Sequence, residues 1–128
     1  MTPLMIEGTE RAPQIAFDFE KNTFRIAGES YPEDVTKFFG PVIEALETHL
    51  DANGSKPVRF EFELIYFNSS SAKAIMTIME ILDATAKAGA EVEVYWFYDA
   101  EDDTMEELGE EFGEDLEHAT FHLKEMES

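Results

Sequence analysis

Between residues 58 and 82 the hydrophobic period changes once, and that change restricts the fold more than any other feature of the chain. In VRFEFELIYF, Val58, Phe60, Phe62, Leu64 and Tyr66 fall on one side and Arg59, Glu61, Glu63, Ile65 and Phe67 on the other. Such alternation, dense in aromatic and β-branched side chains, is the period of a strand. From Ile65 to Phe67 both sides are apolar, which predicts a strand whose C-terminal end is buried on both faces, as in the middle of a sheet. Asn68, Ser69, Ser70 and Ser71 follow. Then Ala72, Ile75, Met76, Met79, Leu82 and Ala86 recur at threes and fours, the stripe of an amphipathic helix. The junction puts several hydroxyls at a helix N-terminus, beside backbone N–H groups that the helix itself leaves unpaired.

The same alternation of strand and helix runs through the rest of the chain. Gln14–Phe19 and Thr23–Ala27 flank Glu20-Lys21-Asn22, a β-hairpin with Asn22 in its turn. Ser30 or Tyr31, followed by Pro32 and two acids, signals a helix start. Val35, Phe38, Phe39, Val42, Ile43, Leu46 and Leu50 continue it as an apolar stripe. Gly40-Pro41 interrupts that stripe, because Pro41 cannot donate to the carbonyl four residues earlier; a kink, or a second helix starting at Pro41, is expected. Residues 51–57 form a loop. Lys87-Ala88-Gly89 closes the helix after the junction with a basic residue and a C-terminal glycine. Glu91–Tyr98 is a strand buried most at its aromatic end, with Tyr95–Tyr98 read as core. Met105, Leu108 and Phe112 mark a third helix weakened by Gly109 and Gly113. Ala119–Leu123 is a last short strand. The order β-β-α-β-α-β-α-β predicts a single α/β domain over residues 1–128. Its sheet is mixed and five-stranded, with an N-terminal hairpin and helices packed on it; residues 1–13 are an extended arm and 125–128 a frayed tail.

Charge and composition exclude several functions. The net charge of −20, from 29 acids against nine Lys and Arg, disfavours nucleic acid and anionic membranes and favours basic protein surfaces. Eleven Phe, four Tyr and one Trp supply a core. No apolar run is long enough to cross a bilayer, and Met1–Glu10 lacks the pattern of a secretion signal. The absence of cysteine excludes disulfides and thiolate metal sites and suits the cytoplasm.

Four consecutive small polar residues at 68–71 exceed what one helix cap needs, so a modifiable hydroxyl competes with capping there. No G-x-S-x-G elbow surrounds the serines and no histidine stands in a recognisable triad context, which disfavours a serine hydrolase. Asp99, Glu101, Asp103 and Glu110 fall at the first, third, fifth and twelfth positions of a calcium loop. Thr104 replaces its turn glycine, however, and the segment reads as a solvated acidic helix. His118 and His122 do not converge within a strand. Neither a metal nor a cofactor is expected, and no catalytic residue. The competing reading is a small enzyme or ligand-binding domain with a pocket at the C-terminal ends of the parallel strands.

The run Tyr66-Phe67-Asn68-Ser69-Ser70-Ser71-Ala72-Lys73-Ala74-Ile75-Met76 resembles the signature of the SiaC family of bacterial regulatory phosphoproteins. Ile6-Glu7-Gly8-Thr9 with Pro13, Gly28 to Glu33, Phe39-Gly40 and Trp96 to Asp99 match the same pattern in order and spacing. The resemblance implies a STAS-like domain and a non-enzymatic partner switch. In it a protein kinase phosphorylates the domain, a PP2C-type phosphatase restores it, and the unmodified form binds and activates a diguanylate cyclase. The implied acceptor follows the Asn of the Y-[LF]-N motif, which is Ser69, with Ser70 and Ser71 as adjacent alternatives. The implied partner surface comprises Asn68, Ser69, Ser70 and Lys73.

Overall fold

In the computed structural model, which describes residues 3–126, the alternating segments all become strands of one sheet. The strands are β1 (Leu4–Ile6), β2 (Gln14–Asp18), β3 (Thr23–Ser30), β4 (Val58–Phe67), β5 (Val92–Asp99) and β6 (Thr120–Met126). The helices are α1 (Val35–Asp51), α2 (Ser69–Lys87) and α3 (Asp103–Glu114). Strands lie side by side in sequence order, antiparallel from β1 to β3 and parallel from β3 to β6. The three crossovers therefore step in the same direction, and right-handed connections put all three helices on one face.

The architecture is the expected single α/β domain with a mixed sheet, but it has six strands rather than five. The additional strand is β1, inside the segment expected to be an extended arm; Leu4 and Ile6 pair with Phe17 and Ile15. The last strand likewise runs past Leu123 and takes in Glu125 and Met126 from the expected tail. Met1, Thr2, Glu127 and Ser128 lie outside the described residues.

Alternation puts Ile15, Phe17, Phe24, Ile26, Phe60, Phe62, Val94 and Trp96 on the helix-covered face, where each is at most 1% exposed. Removing one such side chain from water contributes roughly 1.5–3 kcal/mol. Phe17 and Phe24 meet edge-on at 5.2 Å, Phe62 and Trp96 are tilted at 5.4 Å, and Phe24 stacks on Phe60 at 5.9 Å. At the opposite pole of the sheet Asn22 holds the hairpin turn at φ 55°. Its amide nitrogen donates to Asn53 Oδ1 (2.6 Å) and the Pro57 carbonyl (3.0 Å), and its oxygen accepts from His49 Nε2 at 2.6 Å. Burial, with the nearby Lys56 charge, lowers the pKa of His49.

α1 corrects two expectations. It starts at Val35 rather than after Ser30 or Tyr31, because Asp34 is the cap that accepts the Lys37 N–H at 3.0 Å. It also runs unbroken through Pro41. Pro41 and Lys37 are both exposed, so the carbonyl that loses its partner faces water rather than the core. α2 keeps its predicted length but rotates its stripe: Ser71, Ala74, Ile75, Ile78, Met79, Leu82 and Thr85 are buried, and Met76 is exposed.

α2 is also tied to the connection between α3 and β6. Asp83 Oδ1 accepts the backbone N–H groups of Glu117 (3.1 Å), His118 (2.7 Å) and Ala119 (2.9 Å). Partial burial alone would raise the Asp83 pKa, but these three N–H groups outweigh it and hold the carboxyl below its ordinary value. A depressed carboxyl pKa contributes stability that is complete above the unfolded value, about 3.9, and fades as the pH falls through the folded one. Asp83→Ala should cost about 1–3 kcal/mol in urea unfolding near neutral pH. The deficit should shrink as the pH falls below the unfolded value, where the unfolded chain takes up the proton that the folded one still resists. A gap that stays constant with pH would mean that packing rather than charge is lost.

Candidate functional site

β4 and α2 meet at Asn68, which leaves the strand in an extended conformation (φ −88°, ψ 176°). Its N–H donates to the Ser30 carbonyl at 3.1 Å, and its own carbonyl accepts the first helical bond, from Ala72, at 2.9 Å. Its side-chain oxygen takes the Ser71 N–H at 2.9 Å, so the cap is the asparagine and not a serine. The N–H groups of Ser69 and Ser70 remain directed out of the helix end.

The three serines are not equivalent. Ser71 is fully buried, and its hydroxyl is paired with that of Ser30, also fully buried, at 2.8 Å. Ser69 and Ser70 are exposed, as is Lys73, one turn further along the same helix face as Ser69. Four polar residues in a row thus divide into one cap, one buried hydroxyl and two accessible ones. Ser30, which anchors the junction through both its carbonyl and its hydroxyl, has no counterpart in the sequence reading, where it looked like a helix start.

The end of β4 departs from expectation in a way that changes the site's surface. Gly28 pairs with Leu64 but Glu29 pairs with Tyr66, so β4 carries one extra residue, Ile65, opposite Gly28 at φ 102°. A bulge of this kind inverts the alternation beyond it. Phe67 turns to the helix side, where its ring packs on Trp96 and Phe112 at 6.1 Å each. Ile65 and Tyr66 are not buried on both faces: they are 63% and 51% exposed, and Tyr66 meets the Tyr31 ring at 5.7 Å. An apolar rim therefore borders Ser69. Gly28 within a strand was the one signal of the bulge. On the other flank, an open groove of about 390 Å³ runs between α1 and α2, lined by Val35, Phe39, Ile43, Ser70 and Lys73 among others. It is mostly apolar and carries no acid, base or nucleophile set beside Ser69.

The acidic segment is helical where a calcium loop would have to wrap an ion. Asp99 ends β5, Asp102 caps α3 by accepting the Met105 N–H at 2.9 Å, and Asp103 to Glu110 lie on the helix. Among the described residues no group of three His, Cys, Asp or Glu is placed to hold a metal. His118 sits in the turn held by Asp83, and His122 stacks on Tyr95 at 4.4 Å, 3.3 Å from Glu93. Only Trp96 and Tyr98 of the late β5 aromatics face the helices; Tyr95 and Phe97 stand half-buried on the other face, which corrects their reading as core. No helix among the described residues is long and apolar enough to cross a membrane.

Comparison with known proteins agrees with these features over almost the entire chain. Residues 6–126 match the family described as SiaC family regulatory phosphoprotein. An uncharacterized protein of Pseudomonas aeruginosa (strain UCBPP-PA14) is 38% identical over 115 residues, 90% of each chain. The crystal structure of apo-SiaC from Pseudomonas aeruginosa superposes with a TM-score of 0.89 at 35% identity, covering 97% of this chain and 99% of that one. SiaC bound to the diguanylate cyclase SiaD, as its activator, superposes at 0.90 and 36% identity, covering 96% and 99%. The chain belongs to the SiaC family of regulatory phosphoproteins.

Proposed function

We propose that this chain is a partner switch in cyclic-di-GMP signalling, controlled by phosphorylation of Ser69. The unmodified form binds and activates a diguanylate cyclase in the cytoplasm, a protein kinase adds the phosphate, and a PP2C-type phosphatase removes it. The observation that carries this reading is the division of labour at the junction. Asn68 alone caps α2, and Ser69 is left exposed at the first helical position with no catalytic group near it. The similarity to an activator of a diguanylate cyclase names the partner class.

The physics of the modification favours release. A phosphate adds nearly two negative charges at a helix N-terminus, which tolerates them by about 0.3–1 kcal/mol, so the domain stays folded. Lys73, one turn away, faces the same charge. A partner seated on Ser69 and on the apolar rim of Ile65 and Tyr66 would have to bury that phosphate, at a cost of several kcal/mol. Asn68, Ser69, Ser70 and Lys73 form the polar half of that contact and the rim its apolar half.

The test uses protein recovered from its own cells and mapped by mass spectrometry. Phosphate should be found on Ser69 and should vanish in Ser69→Ala, which should activate the cyclase constitutively. Phosphate confined to Ser70 would move the acceptor by one residue. A chain never phosphorylated between residues 68 and 72, or one with turnover of its own lost in Ser69→Ala, would overturn the proposal.

A further inference from the structure

The loop between α1 and β4 holds a reactive dipeptide. Of the three asparagines in the chain, Asn22, Asn53 and Asn68, only Asn53 precedes a glycine. Gly54 has no side chain to shield its backbone nitrogen, and that nitrogen can attack the side-chain carbon of Asn53. The new N–Cγ bond closes a five-membered succinimide. The Cγ–Nδ2 bond breaks, and ammonia leaves with the proton that the Gly54 nitrogen gives up. Water then opens the ring at either carbonyl, which yields aspartate or isoaspartate.

The folded chain opposes each of these steps. Gly54 is exposed at φ 64°, but Asn53 is only 4% exposed, and both hydrogens of its amide are in use. Nδ2 donates to the Lys56 carbonyl at 2.9 Å and to the Gly54 carbonyl at 3.3 Å. Oδ1 accepts from Asn22 Nδ2 at 2.6 Å. Ring closure makes Cγ tetrahedral and expels Nδ2, whereas these three bonds hold the amide flat and in place. Asn22 is in turn fixed from outside the loop, by His49 Nε2 at 2.6 Å and the Pro57 carbonyl at 3.0 Å.

We propose that Asn53 is a deamidation site closed in the folded chain by its contact with Asn22, and that its modification marks chains in which the hairpin turn and the loop have separated. The chemistry of the products makes the mark persist. A carboxylate has no N–H to donate, so at position 53 it would face the Lys56 and Gly54 carbonyls acceptor against acceptor, in a buried site. Isoaspartate also adds a backbone carbon to the loop that feeds β4, and β4 leads to Asn68 and the serines. A modified chain folds less readily, and the junction at the far end of β4 is lost with the fold.

Peptide mapping by mass spectrometry, with isoaspartyl methyltransferase to label the product, follows Asn53 in the full chain at mildly alkaline pH. Asn53 should react at least about tenfold more slowly in the folded chain than in the same chain in urea. Asn22→Gly keeps a residue suited to φ 55° and removes the amide, so it should speed the reaction of Asn53 at least about tenfold without accelerating that of Asn68. Asn53→Asp should shift the folding equilibrium at least about tenfold toward the unfolded chain, or about 1.4 kcal/mol. If Asn22→Gly does not fold, the wild type in urea below its unfolding transition takes its place, and Asn53 should accelerate there before Asn68 does. Equal rates in folded and unfolded wild type, no acceleration on loss of the Asn22 contact, or parallel acceleration of Asn53 and Asn68 overturns the proposal. An Asn53→Asp chain as stable as the wild type overturns it as well.

Discussion

Ser69→Asp should fold like the wild type and bind the cyclase at least about tenfold more weakly, a loss of about 1.4 kcal/mol or more. Folding is safe because Asn68, not Ser69, caps α2, and because an acidic side chain in the first turn of a helix is favourable. Binding suffers because a carboxylate must be desolvated where an uncharged hydroxyl was accommodated. Aspartate carries half the charge of a phosphoserine and a planar head group, so the phosphorylated protein should bind more weakly still. Ser70→Asp provides the neighbouring control and should weaken binding less. Ser71→Asp is a different experiment: its side chain is fully buried against Ser30, so a charge there should cost the fold several kcal/mol. The measurement is a titration against the isolated cyclase, with circular dichroism to establish folding. Wild-type affinity in Ser69→Asp together with weakened binding in Ser70→Asp would make Ser70 the acceptor. Full affinity in both would remove the switch from this junction.

Gly109→Ala should destabilise the domain by about 1–3 kcal/mol, although an exposed helix would gain about 1 kcal/mol from the same change. A Cβ at Gly109 would stand 2.5 Å from Trp96 Cδ1, 2.7 Å from its Nε1 and 2.8 Å from Leu123 Cδ1. Trp96 cannot yield: it is fully buried, and its Nε1 donates to the Met105 carbonyl on α3 itself at 3.1 Å. Relief requires α3 to lift off the sheet, breaking that bond and the Phe112 contact with Trp96 at 5.4 Å. For a chain of this size the melting temperature should fall by about 3–5 °C per kcal/mol. Trp96 emission, from the only tryptophan, should shift to the red as water reaches the ring. An increase in stability would mean that α3 is held loosely and that helix propensity decides its fate. Gly113, whose Cβ would meet Phe121 at 2.5 Å, should behave alike.

Much of this molecule was legible from local pattern. The strands β2 to β5, the helices and the Asn22 turn follow from period and turn chemistry, because alternation and the 3.6-residue stripe are set by backbone geometry alone. The junction of β4 and α2 was visible for the same reason, as a change of period with polar residues at the change. Serine-rich junctions do not say which hydroxyl is free. Ser71 is inaccessible only because β3 brings Ser30 beneath it from 41 residues away in sequence, and a single chain segment carries no trace of that contact.

The tertiary structure decided what the local pattern left open or stated wrongly. Gly109 and Gly113 read as weak points of a helix because propensity counts only the helix; against the sheet they are the two positions where no Cβ fits. Pro41 read as a break because a lost hydrogen bond was charged to the helix, whereas on the exposed side water takes the freed carbonyl. The Ile65-Tyr66-Phe67 run read as doubly buried because alternation was extended through a bulge that exists only in the pairing of β4 with β3. The sequence by itself determined the order of the elements after β1, the acidic composition and the place of the strand-to-helix junction. Which faces are covered, which serine is reachable and which glycines are obligatory depend on non-local packing, where one residue's environment is made by others far from it in the chain.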